Sequence, residues 1–169
     1  IYIENHYVKK GLSLDGIRWA FGFQFEESFY WHPLTWLSLM LDYHLYGSNA
    51  GMHHFSSLII HVLNSLLLFF LFYRMTGELW KSAFVAGIFA LHPLNVESIA
   101  WIAERKNVLS TFFWLLTIWS YTRYAEDPGF FRYVIVFLFF SLGLMAKPMV
   151  VTLPFLLLLF HLFPAKQCP

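Results

Sequence analysis

The chain has 169 residues, of which 59% are hydrophobic, 21% aromatic and only 12% charged, and its mean hydropathy is +0.58; soluble domains carry about 25% charged residues. That much apolar surface excludes disorder and argues against a water-soluble domain. A single cysteine, Cys168, excludes a disulfide scaffold, and 11 Lys+Arg against 10 Asp+Glu, with no basic face, argues against a nucleic-acid partner.

An integral membrane protein remains. The chain opens at Ile1 in a polar stretch and closes at Pro169 just after an apolar run, so we read it as a fragment of a longer protein. Residues 1–53 contain no long apolar run. Ser13 fits an N-cap for a helix over 14–22, with Asp15 in the first turn, where negative charge suits the helix dipole. His32-Pro33 opens a second helix, with proline at the first helical position. Leu34, Leu37, Leu41 and Leu45 then recur at helical spacing, Ser38 and Asp42 fall off that stripe, and Gly47 ends it. This helix is amphipathic and too polar to span, and is expected to lie on the membrane interface.

Five runs free of Asp, Glu, Lys and Arg follow, at 55–73, 82–96, 107–122, 133–146 and 148–165. A bilayer core of about 30 Å needs roughly 20 helical residues. The first and last runs qualify alone; the middle three reach that length with Trp, Tyr, Arg and Lys seated at the interface. The expected spans are 54–74, 82–99, 107–125, 131–146 and 149–163. The fold class is therefore all-α: a polytopic membrane helix bundle of about five transmembrane helices (54–169), preceded by a loop domain with two juxtamembrane helices (1–53).

Alternating spans place Arg74, Lys81, Arg123, Arg132 and Lys166 on one side and Lys9, Lys10, Arg18, Arg105, Lys106 and Lys147 on the other. The two groups are nearly equal in number, so positive charge does not orient the chain. His-Pro-Leu occurs at 32–34 and again at 92–94, and proline breaks the second run there. Glu97 follows at a membrane boundary, either as a functional ionisable group or as the hydrated end of a helix. Glu104-Arg105-Lys106 comes next. Arginine offers a planar fork for phosphate and lysine a point charge. With Lys147 on the same side, these cations suit an anionic lipid head group, the alternative being interfacial snorkelling. His32 and His92 are further candidates, better suited to starting helices than to ligating. No compact metal-ligand spacing appears among the eight histidines, so the expected metal is none. No Gly-rich phosphate loop, nucleophile elbow or Cys-x-x-Cys is present.

Four strings are distinctive: WHPLTWLSLMLDYHLYG (31–47), HHFSSLIIHVLN (53–64), FALHPLNVESIAWIAERKNVLS (89–110) and LGLMAKPMVVTLPFLLLLF (142–160). Together they resemble the bacterial relatives of the transmembrane-and-tetratricopeptide-repeat O-mannosyltransferases, within the GT-C superfamily of glycosyltransferases. The resemblance implies that residues 1–53 are an extracytoplasmic loop, periplasmic in a bacterial inner membrane. It also implies tetratricopeptide repeats downstream.

The donor substrate it implies is a polyprenyl-phosphate-linked sugar, with no other cofactor, and the acceptor is a protein or glycan hydroxyl. Arg105, Lys106 and Lys147 would sit near the donor phosphate. The family carries an acidic pair just before the segment matching Ile1 to Asn5, so the catalytic base is expected upstream of Ile1. Glu97 and Glu104 are possible assisting acids, and Glu26 and Glu27 weaker ones. A non-enzymatic membrane scaffold tied to the repeats is the alternative. A transporter fits less well, because the charges gather at the ends of the spans.

Overall fold

Side-chain caps set the first helices of the computed structural model, which describes residues 5–22 and 31–162. The Asn5 side chain accepts the Tyr7 amide and starts α1 (His6–Lys9). Ser13 Oγ accepts the Gly16 amide at 3.1 Å and starts α2 (Leu14–Phe21), with Asp15 in its first turn. Pro33 begins α3 (Pro33–Tyr46), which stops at Gly47 with φ +60, a conformation open to glycine and costly for residues with a Cβ. These bounds agree with the sequence reading.

The three helices close on a small core of Val8, Trp19, Ala20, Leu39 and Met40. Tyr7 stacks on Trp19 at 4.8 Å, and Trp19 meets the edge of Trp36 at 5.1 Å. Leu39 and Met40 are fully buried, each worth about 1.5–3 kcal/mol relative to exposure in water. Of the leucine stripe of α3, Leu37 packs against this core. Leu41 and Leu45 are exposed, while Thr35 and Asp42 on the opposite, polar side are buried.

The longest helix, α4 (Ala50–Thr76), is capped by Asn49 and ends at Gly77, φ +71. Its 27 residues extend about 40 Å at 1.5 Å per residue. Only 22% of its most apolar 18-residue window is buried inside the structure, so the apolar flank faces outward, as a lipid-facing helix does.

Residues 82–99 do not form one straight span. Two helices, α5 (Leu79–Leu91) and α6 (Pro93–Ala100), meet at 48° across His92. Pro93 has no amide hydrogen to give the Phe89 carbonyl four residues back. Asn95 Nδ2 takes that carbonyl instead at 2.6 Å. His61 Nε2, from α4, lies 3.2 Å from the next carbonyl, that of Ala90.

A 3₁₀ turn (Ile102–Glu104) leads into α7 (Arg105–Glu126), which is followed by α8 (Phe130–Ala146), a second 3₁₀ turn (Pro148–Thr152) and α9 (Leu153–Leu162). Helix α7 is the central one, packed against α4 and α8. It buries Val108, Leu109, Leu115 and Ile118 together with Ser110, Thr117 and Ser120. Ser110 and Thr117 bond back to carbonyls of the preceding turn, Thr117 Oγ1 to Phe113 at 2.7 Å, so these two hydroxyls enter the bundle without stranded donors. Asn64 Nδ2 of α4 donates to the Val108 carbonyl at 2.9 Å.

The expected five spans are thus only partly supported. By length and composition α4 is long and apolar enough to cross a membrane alone, and α5 with α6 reaches that length only when the bent pair is taken as one span. The 17 residues of α8 and the apolar stretch Pro148–Leu158 are short. Helix α7 is long enough, but the hydroxyls and charges that suit it to a central position lower its hydropathy below that of a lone span.

Candidate functional site

The beginnings of α3 and α7 and the end of α8 meet at one end of the bundle, and charged side chains gather there in an inner and an outer layer.

The inner layer surrounds Arg105, the first residue of α7, which is 1% exposed. Its Nε donates to Ser57 Oγ at 2.9 Å and its Nη1 to Ser38 Oγ at 3.1 Å. Its Nη2 donates to Asp42 Oδ2 at 2.5 Å and to the His53 carbonyl at 2.7 Å. Four of the five N–H groups of a guanidinium are thereby engaged. Asp42 is itself buried, and its Oδ2 also lies 3.5 Å from His53 Nδ1. His53 Nε2 is 3.0 Å from the Gly47 carbonyl; a carbonyl only accepts, so this nitrogen carries the hydrogen. Local sequence builds the cage. Ser38 and Asp42 are four apart on α3, and His53 and Ser57 four apart on α4, so each pair shares a helix face. The two faces close on a cation from a third helix, and that pairing offsets the cost of burying it.

The outer layer is half-buried. Lys147 Nζ donates to Asn107 Oδ1 at 2.5 Å, and Asn107 Nδ2 donates to the Glu104 carboxylate. Lys106 Nζ lies 3.7 Å from the other Glu104 oxygen. Lys106 therefore meets the Glu104 carboxylate directly and Lys147 meets it through Asn107, so that among the described residues two ammonium groups face one carboxylate. Lys147 holds its place because α8 stops there: its backbone is extended and Pro148 follows. Thr35 Oγ1 donates to the carbonyl of Ala146 at 3.0 Å and pins α3 beside that end. His32, at the start of α3, is 4% exposed. Burial, and then the charge of Lys106, holds its imidazole below the ordinary value of 6.5.

The structure therefore brings His32, Glu104, Arg105, Lys106 and Lys147 to one end, with Arg105 inside and the lysines outside. Glu97 is exposed on α6, and no hydrogen bond or ion pair among the described residues joins it to this cluster. His92 caps α6, its Nδ1 accepting the Leu94 amide at 3.3 Å. Glu26 and Glu27 lie outside the described residues. Among the described residues no three His, Cys, Asp or Glu side chains gather as a metal site. Sequence reasoning missed Asp42, Ser38, His53, Ser57 and Asn107. The available signal was the polar stripe Thr35, Ser38 and Asp42, at spacings of three and four on α3.

An outward-facing apolar helix, a central helix of small hydroxyl residues and ionic groups collected at the rims define an integral membrane helical bundle. The comparisons sharpen this. Residues 33–168 match the family described as dolichyl-phosphate-mannose-protein mannosyltransferase, and the chain belongs to that family, within the GT-C group. It is 33% identical over 100 residues to protein O-mannosyl-transferase TMTC1 of Homo sapiens, covering 59% of this chain and 11% of the relative. Against TMTC2 of Homo sapiens it is 28% identical over 102 residues, 59% of this chain and 12% of the relative. Against protein O-mannosyl-transferase F38B6.6 of Caenorhabditis elegans it is 27% identical over 135 residues, 75% of this chain and 19% of the relative. The chain thus spans a small part of the length of each. These relatives are animal proteins, so the expected bacterial origin and periplasmic loop find no support in them. No solved structure matches the chain.

Proposed function

We propose that this chain is part of a membrane-embedded glycosyltransferase that moves a sugar from a polyprenyl-phosphate carrier to a hydroxyl of an acceptor protein. The observation that carries the reading is the outer rim of Lys106 and Lys147 around Glu104, cationic in balance among the described residues and set on a buried Arg105 network in a chain of the mannosyltransferase family. In this reading residues 1–53 are the loop domain that covers the rim, and 54–169 contribute the helices that hold the carrier.

Leaving-group departure concentrates charge on the donor phosphate, and preset cations stabilise it more in the transition state than before it. Lys147 and Lys106 fill that role from the rim. Arg105 acts from behind them, fixing the first turn of α7 and thus the position of Lys106 and Asn107. Glu104 tethers Lys106 and reaches Lys147 through Asn107, which restricts where both ammonium groups can go. In this reading a carboxylate acting as general base takes the acceptor proton, and it is expected upstream of Ile1.

The test is transfer from polyprenyl-phosphate mannose by the full-length protein carrying Lys147→Ala or Lys106→Ala. Each change should lower kcat by about tenfold to a thousandfold, the range for removing one preset electrostatic group, with the thermal midpoint retained. Wild-type kcat in both variants would overturn the donor role.

A further inference from the structure

The opposite end of the bundle carries a second ionic cluster, which the transfer reading does not use. Arg74 ends α4, Arg123 and Glu126 end α7, Asp127 follows, and Arg132 lies in the first turn of α8. These five residues line a cleft of about 280 Å³. Arg74 pairs with Glu126, and Arg132 with Asp127 at 2.8 Å. Arg132 Nη1 also donates to the Asp127 carbonyl at 2.6 Å, which locks the turn between the two helices.

Three guanidinium groups thus meet two carboxylates. The excess falls on Arg123, which has no ion-pair partner among the described residues. Its Cζ lies 5.6 Å from the centroid of the Trp119 ring, and Arg74 Cζ lies at the same distance from that ring. The two cations are therefore no more than twice that distance apart, held on one aromatic platform. Arg74 Nε is buried and has no hydrogen-bond partner among the described residues. A buried donor without a partner is costly, and here it sits beside an uncompensated positive charge.

Position adds the kind of ligand. The cleft lies at the C-terminal end of α4, the helix long and apolar enough to cross a membrane. Exposed Trp80, Phe130, Phe131 and Tyr133 stand at the same end of the bundle, the arrangement aromatic side chains adopt at headgroup depth. Guanidinium forks match phosphate oxygens bidentately.

We propose that Arg74, Arg123 and Arg132 form a phosphate-binding site at the rim opposite the transfer site, occupied by the phosphodiester of an anionic phospholipid. The cleft shares its end of the bundle with those exposed aromatic side chains, and the two acids orient Arg74 and Arg132 while leaving one positive charge in excess.

The test uses the full-length protein in phosphatidylcholine vesicles with and without phosphatidylglycerol, and separately in detergent with inorganic phosphate. Lipid retention is read by native mass spectrometry. Wild type should retain phosphatidylglycerol over phosphatidylcholine, and Arg123→Gln should weaken that preference about tenfold, as loss of one charge-assisted bond implies. Lys81→Gln removes the same charge from the same end but outside the cleft, and should leave the preference intact. Equal losses in the two variants would reduce the effect to general surface charge and overturn the site. Competition by inorganic phosphate supports the site and shows that the phosphate group, rather than the acyl chains, is recognised. A readout that needs no variant is hydrogen exchange over 123–132 in wild type. Phosphatidylglycerol should slow it relative to phosphatidylcholine, and identical exchange in both lipids would overturn the proposal.

Discussion

Removing the Asp42 carboxylate tests how the Arg105 end of the bundle is held. In Asp42→Ala the guanidinium of Arg105 keeps Ser38, Ser57 and the His53 carbonyl, all neutral, and loses its only carboxylate among the described residues. Arg105 is 1% exposed and the Asp42 side chain 8%, so water does not replace the lost charge without opening the contact between α3 and the helices behind it. Stranding one member of a buried pair costs about 3–5 kcal/mol. A surface pair such as Lys81–Glu78, at 76% and 56% exposed, is worth about 0–1 kcal/mol. The assay is thermal unfolding of the full-length protein in detergent, followed by tryptophan fluorescence, which Trp19 and Trp36 beside α3 report. Asp42→Ala and Arg105→Met should each lower the midpoint by many degrees. The double change Asp42→Leu with Arg105→Met should recover much of the loss, because apolar residues of similar size replace a buried pair at little cost, while transfer activity stays low. Single variants as stable as Lys81→Ala would refute the clamp.

Three further outcomes follow from the packing. The unfolded chain protonates His32 near pH 6.5 and the folded chain only at lower pH, so stability is complete above about pH 6.5 and declines as pH falls below it; His32→Gln should flatten that slope in thermal scans between neutral and mildly acidic pH. A Cβ at Gly143 would lie 3.2 Å from Val150 Cγ1 and 3.5 Å from Phe113 Cβ, so Gly143→Leu should force α8 from its neighbours and cost about 1–3 kcal/mol, seen as a lower denaturation midpoint. Asn64→Leu removes the donor to the Val108 carbonyl between α4 and α7 and should cost about 0.6–1.7 kcal/mol, the scale of hydrogen bonds between membrane helices, with no change in the KM for donor.

Local punctuation was legible in the chain. Ser13, Pro33 and Gly47 fix the ends of α2 and α3 because each acts through its own backbone or a neighbour within three residues. The inward face of α3 was not. Periodicity says that Leu41 and Leu45 share a face, and that Ser38 and Asp42 share another, but not which one the bundle takes. Water would drive the leucines inward, whereas a lipid boundary accepts them outward and leaves the interior to whichever polar groups find partners. The partner of Asp42 is 63 residues away in Arg105, a separation no local pattern encodes. Alternation of helices did put Arg105, Lys106 and Lys147 at one end. Only three-dimensional packing separates the enclosed Arg105 from the lysines outside it.

The elbow at His92 is held from outside itself. Proline strands the Phe89 carbonyl and the cap at His92 diverts the Leu94 amide from Ala90, and these two acceptors are taken by Asn95 and by His61 of α4. His54, one helical row earlier, lies 3.4 Å from the Ile99 carbonyl in the same way. Helices α4, α5 and α6 therefore form one unit of inheritance: a chimera that borrows the bent pair without its own α4 would receive the proline that opens the backbone but not the histidines that close it.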